Sequence, residues 1–135
     1  MRILGKNRSA YVGFQCYIVF NNNEIYGPFI PDLASPSTPC MPSRHAEVRG
    51  IKYLKSIKRS LKNARLYCVH WIYNIVKKQW ELSDGIPCKD CFKFIINSGI
   101  RKFGISSKEL DTIIHVDFDY IYQRTKPSTG RLYGK

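Results

Sequence analysis

Long apolar runs, acidic residues and an even set of cysteines are what this sequence lacks, and each absence argues against a class of protein. No stretch approaches the roughly 20 apolar residues that a membrane span requires, so a spanning chain is not expected. The opening Met1-Arg2-Ile3-Leu4-Gly5-Lys6-Asn7-Arg8 has neither the apolar centre nor the small-residue cleavage site of a secretory signal. A soluble protein of the cytoplasm or nucleus is the expectation. Asp and Glu total 10 against 22 Lys and Arg, leaving a formal net charge of +12. That excess favours polyanionic partners, because each neutralised phosphate releases condensed counterions. A merely solvated, lysine-rich surface is the other reading of the same charge. The cysteines, Cys16, Cys40, Cys68, Cys88 and Cys91, are odd in number and unevenly spread, which argues against a disulfide framework. A metal site on reduced thiolates fits better. Cys16 and Cys68 lie in apolar, strand-like runs and read as small core residues.

What is present suits one domain. The chain has 135 residues, 44% of them hydrophobic, enough for a single core. Residues 1–135 are therefore read as one unit, with a basic N-terminal arm over 1–12 and a tail over 127–135. Residues 14–20 form an aromatic and β-branched run, followed by the turn-former cluster Asn21-Asn22-Asn23 and a second short run over 24–29, which predicts a β-hairpin. Pro31, Pro36, Pro39 and Pro42 make 30–44 a loop, of a length that in a small domain is often functional. Ser43 is the expected N-cap of a helix in which Val48, Ile51, Leu54, Ile57, Leu61 and Ala64 recur at steps of three and four. Arg49, Lys52, Lys55, Arg59 and Lys62 give that helix a basic flank.

Leu66 to Tyr73 is the clearest strand. It lacks clean alternation, as in a strand covered on both faces. A turn near Lys77-Lys78-Gln79 and a short run Trp80-Glu81-Leu82 lead to Asp84-Gly85. A second helix should begin near Cys88 and end at Gly99, where glycine suits a left-handed C-terminal position. Lys102 to Ile105 predicts a strand, Thr112 to Phe118 a last strand, and Asp119 to Lys126 a helical end. The order of hairpin, helix, strand, helix, strand implies a mixed sheet with helices on its faces.

Two motifs carry chemistry: His45-Ala46-Glu47 at one helix start and Pro87-Cys88-Lys89-Asp90-Cys91 at the other. Paired in this way they are the signature of the zinc base deaminases. Cys88 and Cys91 are one helical turn apart, so both thiolates can reach one ion. The positive end of a helix favours thiolate over thiol. His45 would add a ring nitrogen. Three protein ligands leave one tetrahedral position open, the mark of a catalytic zinc rather than a structural one. A water there has its pKa lowered from near 16 toward about 7. Glu47, two residues past His45, can reach that water without ligating the metal and can move its protons.

From Phe14 to Ser106 the chain resembles the zinc-dependent cytidine deaminase-like superfamily, closest in flavour to its toxin-type and large-DNA-virus cytosine deaminases. The likeness rests on the two motifs and on Ser98-Gly99-Ile100-Arg101-Lys102-Phe103 after the second helix; Ser128-Thr129-Gly130-Arg131 in the tail is also similar. The resemblance implies a three-layer α/β/α sandwich around a mixed five-stranded sheet. It also implies Zn2+ on His45, Cys88 and Cys91, with Glu47 as proton shuttle. The substrate would be a cytosine-containing nucleoside, nucleotide or single-stranded nucleic acid, deaminated to uracil. Ala46, Pro87, Trp71 and Tyr73 are the expected substrate-binding residues, the last two by stacking on a base. Small members of the superfamily often complete their pockets by association, which implies a homo-oligomer.

The sequence departs from the family in ways that bear on substrate. The free-nucleoside enzymes carry a Gly-x-Asn segment before the His motif, whereas Gly27-Pro28-Phe29-Ile30 stands here without the Asn. The tRNA adenosine branch carries Glu-Pro-Cys-Met-Cys, whereas Ile86-Pro87-Cys88-Lys89-Asp90-Cys91 stands here. The basic charge then tilts the reading toward cytosine in single-stranded DNA or RNA. Free cytidine, deoxycytidine or its monophosphate is the alternative, and adenine or guanine a smaller one. A closed zinc knuckle would need two further ligands, from Cys40 and His45 or from Cys68 and His70, and would be a nucleic-acid-binding module without turnover. His70 and His115 read as hydrogen-bonded structural residues.

Overall fold

A computed structural model of the chain describes residues 12–31 and 45–126. The expected N-terminal arm up to Tyr11, most of the proline-punctuated loop with Cys40 and Ser43, and the tail from Pro127 lie outside the described residues. In chain order the elements are β1 (Val12–Phe20), β2 (Ile25–Phe29), α1 (Ala46–Ser56), β3 (Ala64–Asn74), β4 (Gln79–Ser83), α2 (Lys89–Asn97), β5 (Lys102–Ser107), β6 (Thr112–Val116) and α3 (Phe118–Arg124). Three helices and a mixed sheet make the α/β/α sandwich that the sequence implies. The main path through the sheet has five strands, in the order β2-β1-β3-β5-β6, and β4 joins β3 as a sixth off that path.

The hairpin forms where the asparagine cluster predicts it. Asn23 adopts φ 69, and the Phe20 N–H donates to the Glu24 carbonyl at 2.9 Å. On its other edge β1 pairs antiparallel with β3 in unbroken register from Val12↔Ile72 to Phe20↔Ala64. The far edge of β3 is divided. Its first half, Arg65 to Cys68, pairs parallel with β5, and its second half, His70 to Asn74, pairs antiparallel with β4. The run Trp80-Glu81-Leu82 thus belongs to a true strand, against Ile72 and Tyr73 and their neighbours.

Ser106, fully buried on β5, stands where the partners of β3 change. Its hydroxyl accepts from the His70 N–H at 2.9 Å and donates to the Ser83 carbonyl at 2.6 Å, while its own carbonyl accepts from the Gly85 N–H at 3.0 Å. One residue therefore satisfies the backbone groups that a switch between two partner strands would otherwise leave unpaired.

The core combines Cys16, Ile18 and Phe20 of β1, Leu66 and Cys68 of β3, and Phe103 and Ile105 of β5 with Ile51 and Leu54 of α1, Phe92 and Ile95 of α2, and Ile121 of α3. The helix expected to run to Ala64 ends at Ser56 instead. Lys58 takes a left-handed φ of 59, its N–H donates to Lys55 O at 3.0 Å, and the Arg59 N–H donates to Leu54 O at 2.9 Å. This pair of reversed bonds is the Schellman ending of a helix. Leu61 and Ala64 continue the apolar spacing because both are buried, Leu61 from the connecting loop and Ala64 from β3, and not because the helix persists. The second helix keeps its expected limits, with Gly99 at φ +100 behind it. The last strand stops at Val116, because Asp117 caps α3 by accepting from the Tyr120 N–H at 3.0 Å. No helix among the described residues is long and apolar enough to cross a membrane.

Gly85 fixes how closely the segment leading to α2 approaches the sheet. A Cβ there would collide with the Cys68 carbonyl oxygen and press on the Ser106 hydroxyl. Gly85→Ala is expected to lower stability by about 1–3 kcal/mol, the usual range for overpacking. Because the displaced segment carries Cys88, metal retention should fall as well. A denaturant midpoint and a metal titration on the same variant check both effects.

Candidate metal centre

His45 and Cys88 occupy equivalent places, each the N-cap of its helix. Both have extended backbones, with φ −77 and ψ 152 at His45 and φ −68 and ψ 165 at Cys88, and neither uses its side chain to cap. Each carbonyl already begins its helix, His45 O accepting from the Arg49 N–H at 3.0 Å and Cys88 O from the Phe92 N–H at 2.9 Å. The ring and the thiol are thereby left to turn toward each other across the α1–α2 interface. His45 Nδ1 lies 3.1 Å from Cys91 Sγ and 3.6 Å from Cys88 Sγ. The ligand atoms of all three side chains fall within 4.8 Å of one another.

Those separations can be tested against a metal. Zinc with Zn–S near 2.3 Å and Zn–N near 2.0–2.1 Å, at a tetrahedral angle, sets N and S about 3.6 Å apart. One N–S distance equals that value, and the other is short by about half an ångström, as suits a pair joined by a hydrogen bond. Two thiolates and an imidazole are also the donor set that borderline-soft ions select. The three residues therefore fit a single metal ion and fill three of its positions.

The electrostatics of the cluster run the same way. The hydrogen bond from Cys91, reinforced by the His45 ring, holds Cys88 down to about 4. As the other half of this pair, Cys91 is pushed up, first by that hydrogen bond and then by burial. The pair behaves as a thiolate and a thiol sharing one proton, a state that a cation would replace by two thiolates.

Glu47 is 2% exposed in the first turn of α1. Burial pushes its carboxyl up to about 7, opposed by the His45 ring and by a hydrogen bond from Cys91. The carboxyl thus touches the triad without belonging to it. Beneath it lie Cys16 and Cys68, register partners on β1 and β3, which hydrogen-bond each other and are both raised, Cys68 chiefly by that bond and Cys16 chiefly by burial. They are buried core thiols, as expected, and both lie close enough to Glu47 for its charge to raise them further.

The structure brings His45, Cys88, Cys91 and Glu47 together, and the chain neighbours Ala46 and Pro87 are both buried. It does not bring Trp71 and Tyr73 to them. Strand alternation puts His70 on the side of Cys68 and Phe14, its ring centroid 5.2 Å from that of Phe14, and sends Trp71 and Tyr73 to the opposite face. Tyr73 packs there against Trp80, with centroids 5.4 Å apart. The two histidines outside the triad are structural in their contacts. His115 Nε2 pairs with the Tyr67 hydroxyl at 2.9 Å, and burial lowers His70 against the opposing pull of the Asp84 main chain.

The sign of the His70 effect is definite. A base whose folded pKa is depressed loses stability as pH falls below its unfolded value near 6.5, because only the unfolded chain takes up the proton there. The stability difference between the parent and His70→Gln should therefore shift against the parent between pH 7 and pH 5.5, which urea midpoints at the two values measure.

Three positioning groups carry no motif in the sequence. Ser106 and Gly85 hold the chain that enters α2. On the other side Thr125 Oγ1 donates to Pro87 O at 2.7 Å and the Lys89 N–H donates to Lys126 O at 2.9 Å, so the end of α3 clamps the cysteine turn. Only the local sequence of α3 signals a helix there, and nothing in it signals where that helix docks.

Compared with known proteins, the chain matches no family model and no curated protein. What the fold and the site define is a class: an α/β/α protein with a His/Cys/Cys centre suited to one metal ion, consistent with a catalytic or a binding function.

Proposed function

We propose that the chain is a hydrolytic deaminase that converts cytosine-type bases to uracil, with zinc held by His45, Cys88 and Cys91. One observation carries this reading: a buried carboxyl, Glu47, contacts the ligand set without joining it. Zinc in such a site supplies a water acidified toward a pKa of about 7 and an electrophilic centre beside it. Glu47 then has a defined task. Its carboxylate would take one proton from the attacking water and pass it to the ring nitrogen next to carbon 4, then take the second from the hydroxyl newly bound to carbon 4 and pass it to the amino group, which leaves as ammonia as the carbonyl forms. Cytosine and water give uracil and ammonia, and Glu47 ends as it began. The carboxyl is held away from bulk water, as its 2% exposure requires. Single-stranded nucleic acid is the favoured source of the base, supported by the net charge of +12.

Incubation of zinc-loaded protein with cytidine, deoxycytidine monophosphate and a cytosine-containing single strand, read by uracil formation, tests the proposal. Uracil from the strand supports it in full. Uracil from the small substrates alone keeps the reaction and removes the polynucleotide. A zinc-stabilised nucleic-acid-binding module without turnover is the competing function, and it predicts no uracil from any of the three.

A further inference from the structure

The short helix α3 presents two aromatic rings that the core does not use. Phe118 and Tyr122, one helical turn apart, stack with centroids 5.6 Å apart and planes 15° from parallel. Phe118 is anchored on Phe92 at 5.1 Å, immediately after Cys91 on α2. Tyr122 is 63% exposed although one of its faces lies on Phe118, so the other face is open to solvent. Stacked on each other and anchored on Phe92, the two rings form one contiguous apolar surface in a fixed orientation rather than two scattered side chains.

Charge is divided along the same helix. Asp117 and Asp119 mark its beginning. Arg124 and Lys126 mark its end, and Lys126 O is bonded to the N–H of Lys89, which adds a third exposed cation beside Cys88. The rings therefore lead from an acidic end toward a basic one, and the basic end is the rim of the metal centre. Arg124 is turned to the other side of the helix, its guanidinium 3.6 Å from the Tyr120 ring centroid and donating to Tyr120 O at 3.1 Å, which leaves Lys126 and Lys89 as the cations of this end.

We infer that α3 is a stacking platform for single-stranded nucleic acid: a base lies on the open face of Tyr122 while Lys89 and Lys126 hold the adjoining phosphates. The inference rests on the deaminase reading only in supplying a reason for a strand to pass this rim. An open π-face accepts any base, and cations at one end alone give the strand a direction. The platform lies outside the catalytic cluster, so strand binding can be measured without turnover.

The test uses the full chain, zinc-loaded, and fluorescently labelled homopolymers that contain no cytosine: oligo-deoxythymidine and oligo-uridine, with an abasic strand as control. Both homopolymers should bind more tightly than the abasic strand, and their relative affinities show whether the platform prefers DNA or RNA. Tyr122→Ala and Tyr122→Leu should each weaken homopolymer binding about 5- to 100-fold, the worth of one stacked base. The leucine variant keeps an apolar contact for Phe118, so a loss common to both variants is a loss of the ring. Lys126→Gln should lower the slope of log affinity against log salt by about 0.7, the value for one phosphate on a single strand. Melting midpoint and zinc content should stay at parent values. Unchanged homopolymer affinity in both Tyr122 variants would overturn the inference. So would a Tyr122→Ala protein that keeps its affinity while passing from dimer to monomer in sedimentation, because the rings would then join two copies of the chain. Homopolymer binding by a protein that forms no uracil from cytidine, deoxycytidine monophosphate or the cytosine-containing strand would leave the platform standing and remove the deaminase.

Discussion

Glu47→Gln should lose at least 10²- to 10⁴-fold in deamination rate, the usual contribution of a positioned acid–base group, while keeping its metal. Glutamine preserves the shape and hydrogen-bonding reach of the side chain but can neither take nor give the proton. The buried site should accept it, since burial already disfavours the charged carboxylate at this position, holding its pKa near 7. Stability equal to or above that of the parent is therefore part of the expectation. Uracil formation, metal content and the unfolding midpoint, measured on one preparation, separate the chemical role from a structural one. Retained turnover would remove Glu47 from the mechanism. Lost turnover with lost metal would make Glu47 a structural neighbour of the ligands instead.

Removal of the metal should have the second large effect. The three ligands come from two helices and close an interface whose core side is Ile51 and Leu54 against Phe92 and Ile95. A ligand present at about a thousandfold over its dissociation constant stabilises the folded state by about 4 kcal/mol. At about 3–5 °C per kcal/mol for a chain of this size, chelation should lower the thermal midpoint by roughly 10–20 °C. Cys91→Ser should reproduce that shift and become insensitive to chelator, because its ligand atom is fully buried and the described residues offer no other group of three ligands that includes His45 and Cys88. A midpoint that does not respond to chelator would show that the triad holds no ion in solution.

The cluster of His45, Cys88 and Cys91 was easier to read from the sequence than the scaffold around it, for physical reasons. The spacing Cys88-x-x-Cys91 and the step from His45 to Glu47 are local, and a helix turn converts them directly into geometry. The hairpin and Gly99 were legible for the same reason, since a turn needs its own residues to adopt positive φ. What could not be read depends on distant partners. Leu61 and Ala64 have helical spacing, but the left-handed Lys58 ends the helix, and lysine carries no signal for that conformation. Trp80 to Leu82 becomes a strand only because β3 outlasts β5 and leaves an edge to be paired. Trp71 and Tyr73 belong to a run without clean alternation, so their face is set by the register with β1 and not by their own pattern. Ser106, Gly85 and Thr125 support the site through single hydrogen bonds or a single close approach, none of which leaves a periodicity to detect.

The central claim is that one ion sits among a nitrogen and two sulfurs with its fourth position open, and X-ray absorption at the zinc edge of the purified protein tests it most directly. The spectrum should show about one zinc per chain, with two sulfurs near 2.3 Å and two lighter atoms near 2.0–2.1 Å, one from His45 and one from water. Three or four sulfurs, which would bring in Cys40 or another thiol and close the site, or the absence of stoichiometric zinc, would contradict it.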